Sequence, residues 1–230
     1  MKHSTVQSRD VYLSNWRLEI ILILSGILSS VVYIVTDLIA SWWDTDYSIL
    51  DQNYSELLAT GAPTRPGMLV ATVIYNLLVI SFAIGIWIRG SSGRTAQLTA
   101  GMLFMYAITG FLGGAIFQMD QRGAEATTRG SLHPIMTMIM SLFLLLAMIF
   151  AASLYGRNFR IYTYVTVAVL ITFGIITSLQ VPQLADGKAT PWMGLTERVN
   201  IYATMLWIAI LSIMMLRTTH KLGASSPQSA

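Results

Sequence analysis

The sequence contains no cysteine and few charged residues. The absence of cysteine excludes disulfide bonds and thiolate metal sites, and it leaves the cellular compartment open. Charged residues make up 11% of the 230 residues, against roughly 25% in an ordinary soluble domain. A composition this poor in charge excludes a soluble fold.

Histidine is also scarce. Of the three histidines, His3 and His220 lie near the chain ends, so His133 is the one in the interior. A zinc centre built on several histidines is therefore excluded. Met136 and Met140 follow His133 at a spacing that a soft metal can use, but methionines in a spanning helix usually serve packing. We predict no resident metal and no cofactor.

Apolar residues, in contrast, make up 54% of the chain. They are gathered into blocks of about 19 to 24 residues, which at about 1.5 Å per residue match the roughly 30 Å hydrocarbon core of a bilayer. Because lipid cannot satisfy free backbone groups, each block is expected to be a helix. The sequence therefore predicts an all-α, polytopic membrane protein, a bundle of six transmembrane helices at about 18–41, 68–89, 96–118, 134–156, 162–180 and 198–217.

The basic residues are distributed unevenly between the predicted loops. With the N-terminus inside, nine of the 14 lysines and arginines lie on the cytoplasmic side and five lie outside. This predicts a cell-membrane protein with both termini in the cytoplasm. Its parts are a cytoplasmic segment over 1–17, the membrane domain over 18–217 and a disordered tail over 218–230. The basic bias is topological, so we predict no nucleic-acid partner.

The three predicted outer loops are longer than the two inner connections, so function in loops should face outward. In the first outer loop, the stretch from Tyr54 to Leu58 predicts a short re-entrant or interfacial helix, stopped by Gly61 and Pro63. The outer loops and their flanks also carry eight of the eleven acidic residues: Asp44, Asp46, Asp51, Glu56, Asp120, Glu125, Asp186 and Glu197.

Asp37 lies inside the first span, roughly one turn from its outer end. A carboxylate there costs up to about 2 to 3 kcal/mol to insert, so it should face the bundle or a wet cavity. It is either a binding or proton-relay carboxylate, or an acid bonded to neighbouring helices.

The last span opens with the stretch "GLTERVNIYATMLW" at residues 194 to 207. Thr196 is a candidate N-cap, and Glu197 lies where the helix dipole favours an acid. Arg198 and Tyr202 share a helix face. Arg198 either pairs with Glu197 or reaches into the bundle to meet an acid, Asp37 or Asp120. If it meets Asp37, exchanging the two charges should restore folding that is lost in the single variants.

Four polar residues on the outer side are candidates for chemistry. Ser55 and Glu56 form a polar pair, although a Ser-Glu step is also a common helix start. Arg65, between two prolines, can receive a phosphate or carboxylate, or can simply be an interfacial charge. His133 precedes Pro134 at the predicted first turn of the fourth span, where it is either a general acid or base or a cap-adjacent structural residue.

Small residues recur at four-residue spacing in two of the spans. Gly110 and Gly114 do so in the third span, and Gly26 and Ser30 in the first. Such steps let helix backbones approach closely. We predict close helix contacts at both.

The chain resembles a six-span bacterial and archaeal family filed as domain of unknown function 998. The motifs that carry the resemblance are "YIVTD" at 33–37, "YSELLATGAPTRPG" at 54–67, "GAIFQMDQRG" at 114–123, "LHP" at 132–134 and "GLTERVNIYATMLW" at 194–207. The resemblance covers nearly the whole chain. The family commonly ends its third span in a phenylalanine, proline and aspartate pattern, whereas here Gln118 and Met119 separate Phe117 from Asp120. The first outer loop also resembles that of the eukaryotic Frag1/DRAM/Sfk1 membrane proteins. Neither resemblance implies a particular reaction.

Three functions remain open at this stage. The first is binding of a lipid headgroup or small amphiphile in an outward-facing polar pocket. Membrane lipids would then be the partners, and the ligand-binding residues would be Asp37, Ser55, Glu56, Arg65, Asp120, His133, Glu197 and Arg198, with Arg122 nearby. The second is an intramembrane hydrolase or transferase, in which His133 and an acid, Asp120, Asp37 or Glu197, activate water or Ser55. The third is a non-catalytic accessory subunit.

Overall fold

The computed structural model describes residues 3–90 and 93–224, with side chains over 16–90 and 93–218. Within these ranges every regular element is a helix, as predicted. Six helices are long and apolar enough to cross a membrane. In chain order the helices are α1 (His3–Trp43), a 3-10 turn (Tyr54–Leu58), α2 (Arg65–Arg89), α3 (Arg94–Ala115), α4 (Thr128–Ala151), α5 (Arg157–Ser178), the short α6 (Val181–Ala185) and α7 (Met193–Ala224).

The six long helices form a ring around an apolar core. Helix α1 packs against α2 and α7, α2 packs against α3, α3 against α4, and α5 against α7. Helices α4 and α5 touch only sparsely. The largest fully buried side chains include Trp207, Phe82 and Leu103, which come from three different helices. The ring is therefore closed on most of its circumference and loosely joined along one seam.

The connections at the two ends of the ring differ in length. The segments 44–64, 116–127 and 179–192 share one end, which we call the long-loop end. Gly90, Gly93 and the segment 152–156 lie at the other. The predicted short helix from Tyr54 to Leu58 is confirmed as a 3-10 turn in the first of the long loops. Most of the polar side chains considered above lie at the long-loop end.

Two expectations about helix starts were wrong. Helix α4 begins at Thr128 because the side chain of Thr127 caps it, so Pro134 lies in the second turn and His133 is not adjacent to the cap. Helix α7 begins at Met193, so Thr196 is not its N-cap. Hydropathy marks the apolar part of a helix, whereas the helix itself continues into polar residues at the interface.

The ends of the chain are more helical than the composition suggests. Helix α1 begins at His3, so residues predicted as an N-terminal segment are continuous with the first span. Helix α7 continues to Ala224, within the range predicted as a disordered tail. The remainder of that tail, 225–230, lies outside the described residues.

The predicted close helix contacts are present at the small residues. A Cβ added at Gly26 would lie 2.9 Å from the ring of Phe82, and one at Gly114 would lie 2.9 Å from Thr72 Cγ2. Ser30 Oγ donates to the Met205 carbonyl at 2.8 Å. These residues let α1 approach α2 and α7, and α3 approach α2.

Candidate functional site at the long-loop end

A buried ion pair joins the first and last spanning helices. Arg198 donates to both oxygens of Asp37, from Nη2 at 2.8 Å and from Nε at 3.0 Å. The exposed fractions of the two side chains are 5% and 0%. Tyr202, one turn along α7, donates to the same carboxylate at 2.6 Å. The predicted meeting of Arg198 with Asp37 is therefore present, and the alternatives with Asp120 or Glu197 are not.

Arg198 also holds the first long loop through backbone carbonyls. Its Nη1 donates to the carbonyl oxygens of Ile49 at 2.9 Å and Gln52 at 3.3 Å. Gly194 makes this approach possible, because a Cβ there would overlap both of those oxygens. The guanidinium is thus fully engaged and serves as a clamp between α1, α7 and the loop.

Tyr47 completes this clamp from the loop side. Its hydroxyl accepts from Arg198 Nη2 at 2.9 Å and lies 2.8 Å from the Asn53 carbonyl oxygen. Burial raises the pKa of Tyr47 well above its ordinary value, and the neighbouring guanidinium offsets only part of this rise. Tyr47 is therefore a neutral phenol that donates to the backbone.

A second ion pair, between Glu56 and Arg122, connects the first two long loops. Arg122 Nη2 lies 2.8 Å from Glu56 Oε1, and its Nη1 donates to the Lys188 carbonyl at 2.8 Å. Glu56 also accepts from the Asn53 backbone N–H at 3.0 Å, while the Asn53 side chain accepts from the Glu56 N–H. This reciprocal capping box fixes the start of the 3-10 turn.

Glu197 is half-buried against the same turn. Its carboxylate accepts from the backbone N–H of Tyr54. The preceding residue, Thr196, shares a hydrogen bond with Thr177 of α5 at 2.9 Å. The two residues therefore tie α7 to its neighbours.

Asp120 caps the entry to α4. Its two oxygens accept from the backbone N–H and from the hydroxyl of Thr127, both at 2.8 Å. The Thr127 hydroxyl in turn accepts from the Gly130 N–H. Asp120 is hydrogen-bonded to Thr127, whereas His133 contacts Ser55 and Phe117.

His133 instead contacts Ser55 and a backbone carbonyl. Its Nε2 lies 3.2 Å from Ser55 Oγ, and its Nδ1 lies 2.8 Å from the Phe117 oxygen. Both side chains are half-buried. Activation of Ser55 by His133 was one of the alternatives that the sequence left open, and the two side chains meet in the structure although they are 78 positions apart, in the 3-10 turn and in α4.

Arg65, at the first position of α2, has no acidic partner. Its Nη2 donates to the side-chain oxygen of Gln118 at 2.5 Å, and its buried Nε has no hydrogen-bond partner. The Gln118 amide nitrogen donates to the Ala115 carbonyl at 2.9 Å. Arg65 therefore contacts Gln118, and the neighbouring residue Phe117 contacts His133 through its carbonyl oxygen.

The predicted site residues thus fall into separate groups rather than one pocket. Asp37 with Arg198, and Glu56 with Arg122, are paired among themselves. Asp120 and Glu197 are bonded to backbone. Ser55 and His133 meet, with Arg65 on the same end of the ring. Tyr47, Gln118 and the Phe117 carbonyl were not predicted, and a backbone acceptor leaves no signal in the sequence.

No metal centre is indicated within the described residues, where no group of three or more histidine or acidic side chains could hold an ion. A shallow groove of about 290 Å³ lies away from the long-loop end, between α1 and α2. Its lining is largely apolar and includes Leu24, Leu28 and Leu78. The groove therefore resembles lipid-facing surface more than a polar site.

Comparison with known proteins gives one family. The model of a family described as "Protein of unknown function (DUF998)" matches residues 27–214, a range that includes four of the six spans completely and most of the first and last spans. No curated protein and no solved structure matches the chain significantly. The match covers most of the chain, and the protein therefore belongs to the DUF998 family of unknown function and is a multi-pass membrane protein.

Proposed function

We propose that the protein binds the anionic headgroup of a lipid or small amphiphile at its long-loop end, which we take to face outward. The observation that carries the proposal is Arg65. Its half-buried guanidinium has only the neutral amide of Gln118 as a partner, and its Nε has none. A cation in this state can gain charge-assisted hydrogen bonds from a phosphate or carboxylate.

Arg65 differs in this respect from the other arginines that are not fully exposed. Among the described side chains these are Arg89, Arg122 and Arg198, and they pair with Glu19, Glu56 and Asp37. Their charges are compensated within the protein. The charge of Arg65 is left for a partner from outside the fold.

The surroundings of Arg65 also suit an anion. It begins α2, whose N-terminal N–H groups carry partial positive charge, and Thr64 makes no side-chain cap there. Trp42 and Trp43, at the end of α1 that leads into the long-loop end, are 82% and 70% exposed. Exposed tryptophans are typical of the level at which headgroups lie.

The proposed site is smaller than the pocket predicted from the sequence. Asp37 and Arg198 are excluded from it because each neutralises the other, and so are Glu56 and Arg122. What remains is Arg65, with Ser55 and His133 as polar neighbours at the same end. A non-catalytic accessory role has no specific contact in its favour.

Thermal stability in a neutral detergent tests the proposal. Short-chain phosphatidylglycerol should raise the midpoint of unfolding in proportion to its occupancy, and phosphatidylcholine of the same chain length should raise it less. The same measurement with inorganic phosphate alone distinguishes binding of a free anion from binding of a lipid headgroup. Arg65→Gln should weaken the phosphatidylglycerol effect about tenfold or more in apparent Kd, as expected for lost charge-assisted bonds.

Arg129→Gln provides a matched control, since Arg129 is exposed at the same end of the ring. It removes the same charge and should leave the apparent Kd nearly unchanged. Equal stabilisation by the two lipids, or equal Kd values for Arg65→Gln and the unmodified protein, would overturn the proposal.

A further inference from the structure

We propose that Ser55 is a nucleophile activated by His133, and that the protein hydrolyses or transfers the acyl group of an ester at its long-loop end. The proposal stands on the contact of 3.2 Å between Ser55 Oγ and His133 Nε2. The substrate class, an acyl ester of a membrane amphiphile, rests on the headgroup binding proposed above. The reactivity of Ser55 itself does not.

The Phe117 carbonyl fixes the role of each ring nitrogen. A carbonyl oxygen can only accept, so Nδ1 of His133, at 2.8 Å from it, carries the proton. In neutral imidazole Nε2 is then the acceptor, and the Ser55 hydroxyl donates to it. A hydroxyl that donates to an oriented imidazole has the arrangement of an activated nucleophile.

Ser55 lies in a turn that several hydrogen bonds hold in place. It belongs to the 3-10 turn, whose flanking residues Tyr54, Glu56, Leu57 and Leu58 are all buried, whereas Ser55 is half-buried. The turn is fixed at its start by the capping box with Asn53 and by the bond from the Tyr54 N–H to Glu197. The serine is thus positioned by its neighbours while its own side chain remains accessible.

The reaction balances with water as the second reactant. Ser55 Oγ attacks the ester carbonyl carbon while its proton passes to His133 Nε2. The carbon–oxygen bond to the alcohol breaks, and the alkoxide takes the proton from Nε2, which leaves an acyl group on Ser55. Water then attacks that group with His133 again as base, and the carboxylic acid leaves as the proton on Nε2 passes to Ser55 Oγ; the acid afterwards ionises in water. An acceptor alcohol in place of water gives transfer.

The arrangement lacks a carboxylate behind the histidine. Asp120 is bonded to Thr127 and Asp37 to Arg198, so neither stabilises an imidazolium at His133. The Phe117 carbonyl orients the ring and carries no full charge. We therefore expect turnover to be slower than in a complete serine, histidine and aspartate triad.

An alkyl fluorophosphonate tests the nucleophile directly in the full chain in detergent. Its phosphorus forms a bond to serine Oγ, fluoride leaves and the proton passes to the base. Peptide mass spectrometry should locate the label on Ser55 at a rate at least about tenfold above that of Ser48, a serine of the same loop whose hydroxyl donates to Asp51. His133→Gln, which retains a side-chain polar group, should reduce Ser55 to the rate of Ser48.

A second measurement covers the case in which the probe is too large for the site. Because the chain has no cysteine, Ser55→Cys provides a unique thiol for alkylation by iodoacetamide. Its alkylation should slow at least about tenfold when His133→Gln is added. A Ser55 no more reactive than Ser48, or a thiol indifferent to His133, would show that the contact is only a tether between the turn and α4. If phosphatidylglycerol does not bind but Ser55 is still labelled faster than Ser48, the result counts against the headgroup site alone.

Discussion

Asp37 and Arg198 are charged residues placed where neither meets water. Two hydrogen bonds join them. The remaining polar positions are taken up by the side chains of Tyr202, Ser41 and Tyr47 and by backbone carbonyls of the first long loop. Such a pair adds little stability over an apolar replacement of both partners, but either charge left alone is costly. The pair therefore specifies how α1 and α7 meet.

Removal of one partner should reveal this dependence. We expect Asp37→Ala and Arg198→Ala each to lower the free energy of unfolding by about 3 to 5 kcal/mol, and the double variant to lose less than their sum. Unfolding in mixed micelles titrated with a denaturing detergent measures the three values. Ser41→Ala, which removes one neighbouring bond, should cost about 1 kcal/mol. Strictly additive losses would contradict the coupling.

Exchanging the two charges is a further control on the same pair. Arg198 also donates to the Ile49 and Gln52 carbonyls, and an aspartate at that position would face those oxygens without a donor. On this geometry the exchange should not restore stability, contrary to the expectation from the sequence. Full recovery would mean that the carbonyl contacts contribute little.

The 3-10 turn from Tyr54 to Leu58 connects several parts of the long-loop end. Tyr54 is bonded to α7 through Glu197, Ser55 contacts α4 through His133, and Glu56 pairs with Arg122 of the second loop. Five residues thus meet three separate parts of the chain. A shift of this turn would move all three contacts together.

Helix α4 has its own support at its first turn. Asp120 holds Thr127, and Thr127 caps the helix. We expect Asp120→Ala to cost about 0.5 to 2 kcal/mol, the range of a lost cap, and to fray the helix start. Hydrogen exchange should be faster over residues 128–131 and unchanged over the middle of α4. Glu125→Ala, in the exposed part of the same loop, should leave exchange as it is, and equal effects of the two would argue against the cap.

The whole molecule is a ring of six helices with one loose seam. Helices α4 and α5 touch sparsely, and α5 is the most exposed of the spanning helices. In a bilayer such a surface is covered by lipid chains. An acyl chain therefore has the least protein to displace along this seam.

The orientation of the ring is a prediction from the basic residues. Because the chain contains no cysteine, single substitutions give unambiguous reporters. In intact cells a membrane-impermeant maleimide should label Glu125→Cys, at the long-loop end, before lysis and Ser153→Cys, at the opposite end, only after it. Both positions are exposed. The reverse order would place both termini outside and would turn the proposed headgroup site toward the cytoplasm.

Much of the fold follows from local properties of the sequence. Six apolar blocks of membrane length predict six helices, because the bilayer leaves the backbone no other way to satisfy its polar groups. Gly26 and Gly114 indicate close helix contacts, and Tyr54 to Leu58 indicate a short helix, since residue type and turn residues act over a few positions. Helix ends were less accurate: Thr127 caps α4 outside the apolar block.

The partners within the candidate site were decided by the tertiary structure. The sequence by itself determined that Asp37, inside a span, needs a partner, because a buried charge is unstable alone. It could not determine that Ser55 meets His133 across 78 positions, or that the Phe117 carbonyl orients that ring. These contacts depend on how the loops fold over the ring, and a backbone oxygen is the same at every residue. Which segments are buried and which are charged can thus be predicted from the composition of each segment. The pairing of distant polar groups, in contrast, forms only once the helices have packed.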